Sequence, residues 1–293
     1  MDSTQEAPAR GSLLERAFVQ AVSVPWLSWA AAHVADTRFP GPVLRALIRA
    51  YVRAYRVDLA ELAEPLTSFR CFNEFFVRAL RAGARPIDAA PDVLVSPSDA
   101  RLHSLGALPE GGRLEQIKGR SYSVAALLGS AQEAERYGAG VHATLYLSPA
   151  MYHRVHVPAD GRIVGYRYLP GRLFPVNAMA VRNVEGLFAV NERVVVHVES
   201  ERHGPVAVVL VGATNVARIT LACADLRTNA GRPSSDVRLA EALVVRRGEE
   251  LGRFNLGSTV VLLVADPGLR PASGLGPGSL IRMGQRLFER AGP

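Results

Sequence analysis

Three polar clusters interrupt stretches that otherwise read as turns and apolar runs. Ser96-Pro97-Ser98-Asp99 offers a carboxylate, Tyr152-His153-Arg154-Val155-His156 offers two imidazoles, and Asn255-Leu256-Gly257-Ser258-Thr259 offers a hydroxyl directly before the apolar run Val260-Val261-Leu262-Leu263-Val264. Serine, histidine and aspartate are the parts of an activated nucleophile: the imidazole removes the hydroxyl proton, and the carboxylate fixes its tautomer and stabilises its charged form. Each cluster also has a plainer structural reading. Aspartate after Pro-Ser closes an Asx turn, and Gly-Ser-Thr before an apolar strand is an ordinary connection. His153 and His156 could ligate a metal, but no third ligand pattern accompanies them. Sequence separation leaves open whether the three clusters meet.

The rest of the composition narrows the chemistry. With 293 residues, 48% of them hydrophobic and 21% charged, the chain has the make-up of a folded protein. A net charge of +7 calls for an anionic partner, which could be nucleic acid, an acidic membrane surface or an anionic metabolite. Of the 34 basic residues only Lys118 is a lysine. Its setting, Ile117-Lys118-Gly119-Arg120, matches neither a P-loop nor a Schiff-base lysine, which argues against nucleotide and pyridoxal chemistry. Cys71 and Cys223 form no C-x-x-C pair and read as small buried hydrophobes in a reducing compartment.

The elements that must position the clusters change character along the chain. Helical spacing is expected over 12–24, 26–36 and 42–57. On the third helix Arg45, Arg49, Arg53 and Arg56 fall within about 80° of each other, opposite Leu44, Leu47, Tyr51, Ala54 and Tyr55. The uncharged stretch from Ala17 to Ala35 is broken by Gln20, Ser23, Pro25 and Ser28, so it is expected to lie on a membrane rather than cross it. From about residue 92, strands are expected at 145–147, 162–168, 193–199, 206–211, 216–222, 242–246 and 258–264. The expected fold class is α+β: a β-rich catalytic core over 61–293 with a helical, membrane-associating N-terminal extension over 1–60.

Further motifs carry a resemblance that covers nearly the whole chain. Phe72-Asn73-Glu74-Phe75-Phe76-Val77-Arg78 with Ala84-Arg85-Pro86-Ile87-Asp88 precede the first cluster, and Ile117-Lys118-Gly119-Arg120-Ser121-Tyr122-Ser123 follows it. Leu147-Ser148-Pro149-Ala150-Met151 leads into the histidine cluster; Gly171 to Asn177, Asn191-Glu192-Arg193 and Val211-Gly212-Ala213-Thr214 come next, and Gly252-Arg253-Phe254 leads into the last. In order and spacing these resemble the phosphatidylserine decarboxylases of the bacterial and mitochondrial type.

That resemblance implies a precursor that cuts itself between Gly257 and Ser258. The products are a β chain, 1–257, and an α chain, 258–293, whose Ser258 becomes a covalent pyruvoyl cofactor. Decarboxylation of an amino acid needs an electron sink, and a ketone derived from serine supplies one where pyridoxal is improbable. The resemblance makes His156 the base that activates Ser258, with Asp99 orienting it, and His153 the acid for the decarboxylated carbon, although the two histidines could exchange duties. It implies a phosphatidylserine substrate, a homodimer without metal or nucleic acid, and peripheral attachment to the anionic cytoplasmic face of the cell membrane. Ala100 departs from the family, which has glycine there; if that glycine has a positive φ, alanine strains the turn by about 1 kcal/mol. Two competing readings use the same residues: a serine hydrolase built on Ser258, His156 and Asp99, and a non-catalytic module binding anionic lipid. No Gly-x-Ser-x-Gly elbow surrounds Ser258 to favour the hydrolase.

Overall fold

The computed structural model describes residues 15, 19, 30, 33–117, 120–214, 218–255 and 258–290, with the backbone alone for Ala178 and Ser258. Most of the helices expected at 12–24 and 26–36, together with Lys118 and Gly257, lie outside these residues. The helices are α1 (Gly41–Tyr55), α2 (Phe72–Phe76), α3 (Val124–Leu128), α4 (Ala131–Glu135), α5 (Ala178–Asn183) and α6 (Leu187–Val190). The first strands are β1 (Val93–Val95), β2 (Ala100–Ala107), β3 (Arg113–Ile117), β4 (Arg120–Ser123), β5 (Val141–Leu147), β6 (Arg154–His156), β7 (Gly161–Leu169) and β8 (Arg193–Ser200). They continue as β9 (Gly204–Val211), β10 (Arg218–Leu221), β11 (Ser235–Val245), β12 (Glu250–Asn255), β13 (Ser258–Val264), β14 (Leu269–Pro271), β15 (Leu280–Ile281) and β16 (Arg286–Arg290).

The α+β expectation holds, and the strands organise the core. Eight of them form one antiparallel sheet in the order β11-β7-β8-β9-β13-β5-β2-β15. Its central strands are apolar on both faces because both are covered. Val260, Leu262 and Val264 of β13 join Val194, Val196, Val206, Val208 and Leu210 in one cluster. Val261 and Leu263 turn the other way, onto Val195, Val209 and Val211, with Leu127, Leu128 and Phe188 closing that face. Such double burial produces an unbroken β-branched and leucine run in place of alternation. Two small sheets, β10-β12-β6 and β1-β16-β14, carry the histidine and aspartate clusters against this slab.

The strand expected at 258–264 is found with those bounds, and those at 145–147, 162–168, 193–199 and 206–211 fall inside longer strands. The strand expected at 242–246 is the end of the much longer β11. Ala100 opens β2 fully buried, and among the described residues only Arg56 and Asn229 are non-glycine positions with positive φ. The feared strain at Ala100 is therefore absent: the residue takes ordinary strand geometry.

Helix α1 refines the expected two-faced helix. Leu44 and Ile48 are buried against Phe75, and Tyr51 meets the Phe72 ring at 5.0 Å while donating its hydroxyl to Pro149 O at 2.7 Å. Leu47 and Tyr55, expected on that apolar side, are 42% and 48% exposed, and Val43 is 53% exposed. Val43, Leu47, Ala50 and Ala54 follow a spacing of 4, 3 and 4 residues, which lays them in one stripe beside the arginines. The helix thus has three sectors: packed, exposed apolar and basic. Glu15 and Val19, from the first expected helix, meet the β-rich core, Val19 buried in the second cluster and Glu15 accepting from Asn183.

Candidate active site

Backbone pairing brings the three polar clusters together. Ser258, at the start of β13, is the register partner of Leu147 at the end of β5. The chain then turns, with Met151 N donating to Ser148 O at 3.0 Å, and enters Tyr152, His153 and β6. Strand β6 runs beside β12, Arg154 opposite Arg253, and Phe254 N donates to His153 O at 3.0 Å. On its other flank His156 N donates to Pro97 O at 2.7 Å, which draws in the Ser96–Asp99 segment.

His156 is buried, and its tautomer is set by a backbone carbonyl. Nδ1 lies 2.8 Å from Gly248 O and must donate there, which leaves the Nε2 lone pair to accept from the Tyr152 hydroxyl at 3.2 Å. Gly248 has φ +87, and a Cβ on it would sit 2.8 Å from Ile87 Cδ1, so the turn carrying this acceptor requires glycine. Burial holds the His156 pKa below that of a free imidazole; Glu250 and Asp99 favour its charged form and Arg154 opposes it.

Asp99 faces elsewhere. Its carboxylate takes Arg85 Nε at 2.8 Å and Nη2 at 2.6 Å in a bidentate clasp, and Met283 N at 2.9 Å. The same guanidinium binds Glu61 at 2.9 and 2.8 Å, so Arg85 joins two carboxylates. Asp99 and His156 are thus placed in one neighbourhood without a hydrogen bond between them, and the tautomer of His156 is held by Gly248 O, not by Asp99.

His153 is fully buried beneath Phe76, with ring centroids 4.1 Å apart. Nδ1 donates to Met151 O at 2.8 Å, while Nε2 has no partner among the described residues. Burial, and then the nearby Arg78 charge, push its pKa down to about 3. The resting imidazole is neutral with a free lone pair at Nε2. Arg85, Tyr152 and Gly248 were not singled out as site residues from the sequence. The first two lie within quoted motifs that could have flagged them, whereas Gly248 carries no signal, because it acts through its carbonyl.

The family profile for phosphatidylserine decarboxylase matches residues 72–289. The chain belongs to the phosphatidylserine decarboxylase family. It is 42% identical over 248 residues to the phosphatidylserine decarboxylase proenzyme of Myxococcus xanthus (strain DK1622), covering 85% of this chain and 88% of that one. The protein of the same name from Anaeromyxobacter sp. (strain K) is 43% identical over 264 residues, 89% and 93% of the two chains. That from Ectopseudomonas mendocina (strain ymp) is 45% identical over 260 residues, 87% and 90%. The resemblance read from the motifs is borne out, and the hydrolase and lipid-module alternatives are not favoured. Among the described residues no group of three or more His, Cys, Asp or Glu side chains is placed to hold a metal ion, and no helix is long and apolar enough to cross a membrane. The site does fit a pyruvoyl group at Ser258. The segment that follows the register partner of Ser258 carries the buried His153 imidazole, whose Nε2 has no partner among the described residues; a pyruvoyl group there would need such a group for proton transfer.

Proposed function

We infer that this chain decarboxylates phosphatidylserine to phosphatidylethanolamine and carbon dioxide, and we propose that it is made as a precursor that cuts itself between Gly257 and Ser258. What carries the reading is the convergence of the histidine and aspartate clusters on the strand that begins at Ser258. In maturation, Ser258 Oγ attacks the Gly257 carbonyl, and the peptide C–N bond breaks as the ester C–O bond forms. Loss of the Ser258 Cα proton then expels the Gly257 carboxylate, and the dehydroalanine left behind hydrolyses to a pyruvoyl group and ammonia. His156 takes the serine proton at Nε2, since its Nδ1 proton is committed to Gly248 O. Tyr152 must release that lone pair first, and Arg85 holds the Asp99 carboxylate in place in the same neighbourhood.

In turnover the pyruvoyl group supplies the electron sink for the charge left when carbon dioxide departs. His153 is assigned the return of a proton from Nε2 to the decarboxylated carbon, a proton that its neutral resting ring must first take up. It therefore acts as an acid only after acting as a base.

Peripheral attachment to the anionic cytoplasmic membrane face belongs to the same reading, with residues 1–60 as the associating region and 61–293 as the catalytic domain. Exposed Val34, Val43, Leu47 and Tyr55 lie on this segment beside Arg49 and Arg53, a pairing of apolar and basic surface suited to the headgroup boundary. The homodimer implied by the resemblance has an edge strand available in β11, which among the described residues pairs with β7 alone and exposes Leu243 and Val244.

A denaturing gel with mass spectrometry tests the central proposal. The expected products are chains 1–257 and 258–293, the short one lacking an α-amine and resisting stepwise N-terminal sequencing until reductive amination. Borohydride with phosphatidylserine should attach lipid to the short chain. An active enzyme whose chain stays intact, or whose short fragment begins with an ordinary serine, overturns the mechanism.

A further inference from the structure

Arg70, Arg78, Arg154 and Arg253 line one cavity of about 300 Å³, a volume at the lower end for small-molecule sites. Three of the four are paired with acids: Arg70 with Glu74 at 2.7 Å, Arg154 with Glu250 at 2.8 Å, and Arg253 also with Glu250. Arg78 has no ion pair among the described residues, although it is only 4% exposed. Its Nη2 donates to Ala150 O at 3.1 Å and Met151 O at 3.3 Å, its Cζ lies 5.3 Å from the Phe75 ring centroid, and Nε and Nη1 have no partner among the described residues. A buried guanidinium with two idle nitrogens, carrying three N–H groups, and no ion-paired acid among the described residues is costly, and an arriving anion removes that cost.

The position of this cation is as informative as its lack of partners. Met151 O, which accepts from Arg78, also accepts from His153 Nδ1, so the idle guanidinium nitrogens and the idle His153 Nε2 belong to side chains anchored on one carbonyl. The turn that carries this carbonyl begins just after Leu147, the register partner of Ser258.

We propose that Arg78 receives the anion of the substrate headgroup, its free Nε and Nη1 donating to a phosphate or carboxylate oxygen beside His153. This rests on the decarboxylase reading and adds a substrate-binding residue to it. The reaction favours the phosphate of the two. A carboxylate paired with arginine is held as an anion, whereas the reaction must release it as neutral carbon dioxide. The phosphate keeps its charge throughout, and a contact to it serves binding without opposing the chemistry. An anion on Arg78 also offsets the charge that disfavours protonation of His153, so headgroup binding prepares this imidazole to hold the proton it later returns.

The test compares the matured wild-type enzyme with Arg78→Met and Arg78→Lys. The gel reports cutting and product formation reports the decarboxylase reading, so both are scored separately from the inference. Calorimetric binding of O-phosphoserine and O-phosphoethanolamine then reads the inference directly. Arg78→Met should weaken O-phosphoserine by about 10- to 100-fold, the range for a lost charge-assisted hydrogen bond, and Arg78→Lys should weaken it less. Loss of affinity for both ligands assigns the contact to phosphate, and loss for O-phosphoserine alone assigns it to carboxylate. Should the variants not fold, the wild-type His153 imidazole NMR signals should move toward the protonated form as O-phosphoserine is added. Unchanged affinities in a folded Arg78→Met chain, or an unmoved His153 signal at saturating ligand, overturn the proposal.

Discussion

Lowering the pH from 7 to 5 should destabilise the fold by about 4 kcal/mol through two buried imidazoles alone. Burial pushes His153 down to about 3 and His142 down to about 4, from an ordinary value of 6.5. A base depressed in this way takes its proton first in the unfolded chain, so its stabilising contribution is complete above about pH 6.5 and is lost as the pH falls. Each group loses about 1.4 kcal/mol per pH unit, hence about 2 kcal/mol between pH 6.5 and 5. Both folded values lie below 5, so both rings stay neutral in the fold throughout this range. His156 and His197 are shifted in the same direction and add to the loss. The lowered carboxylates Glu61, Glu250 and Asp266 contribute mainly at more acid pH, because their ordinary values are 4.5, 4.5 and 3.8. Urea unfolding at pH 7, 6 and 5 reads the slope, best on Ser258→Ala, which should remain one chain. His153→Asn and His142→Asn should each flatten the fall by about 2 kcal/mol, whatever they cost at pH 7. Equal stability at pH 7 and pH 5, within about 1 kcal/mol, would refute the neutral, buried state of these rings and with it the resting lone pair assigned to His153.

Other consequences are open to direct measurement. Arg85→Met strands the Asp99 and Glu61 carboxylates that now lie 2.6 and 2.8 Å from the guanidinium; it should cost about 3–5 kcal/mol in urea unfolding, and a loss under about 1 kcal/mol rejects the clasp. His156→Ala and Asp99→Ala should leave mainly uncut chain on a denaturing gel, whereas His153→Ala should cut but turn over poorly; full cutting in the first two removes the serine-activating roles. Leu47→Glu with Arg53→Glu should release the enzyme from anionic liposomes, each basic residue near the surface contributing about 1 kcal/mol; undiminished sedimentation places the attachment elsewhere. The two chains of the cut enzyme should elute together on native gel filtration and separate only in denaturant.

What could be read in the sequence follows from which interactions leave a mark in residue type. Val206–Val211 and Val260–Val264 were legible as strands because burial on both faces leaves only apolar residues there. Strands β2 and β12 were not, since Arg101, His103, Glu250 and Arg253 break any apolar period. The polar clusters announced themselves by type, but their wiring did not. Arg85 reaches Asp99 across 14 positions and His156 reaches Gly248 across 92, and a carbonyl acceptor looks the same in every residue. The apolar side of α1 was legible as a whole. Its division into a packed and an exposed sector depends on where Phe72 and Phe75 arrive, which no local pattern encodes.

The position of the proposed cut explains how the fold could tolerate it. The bond lies where the chain leaves β12 in one small sheet and enters β13 in the central one, so cutting it divides no strand. Strand β13 is held by seven register pairs to β5 and six to β9. Its Val260, Val261, Leu262, Leu263 and Val264 are fully buried; at about 1.5–3 kcal/mol for each buried side chain, these alone give about 7–15 kcal/mol of apolar burial. Beyond it the short chain continues as β15 against β2 and β16 against β1, bracketing the Ser96–Asp99 segment from both ends. The short chain therefore cannot leave without dismantling the centre of the sheet and the Asp99 support at once. On the proposed reading, a cofactor made from its first residue would stay fixed to a fully buried strand, while the imidazoles proposed to act on it remain on the long chain.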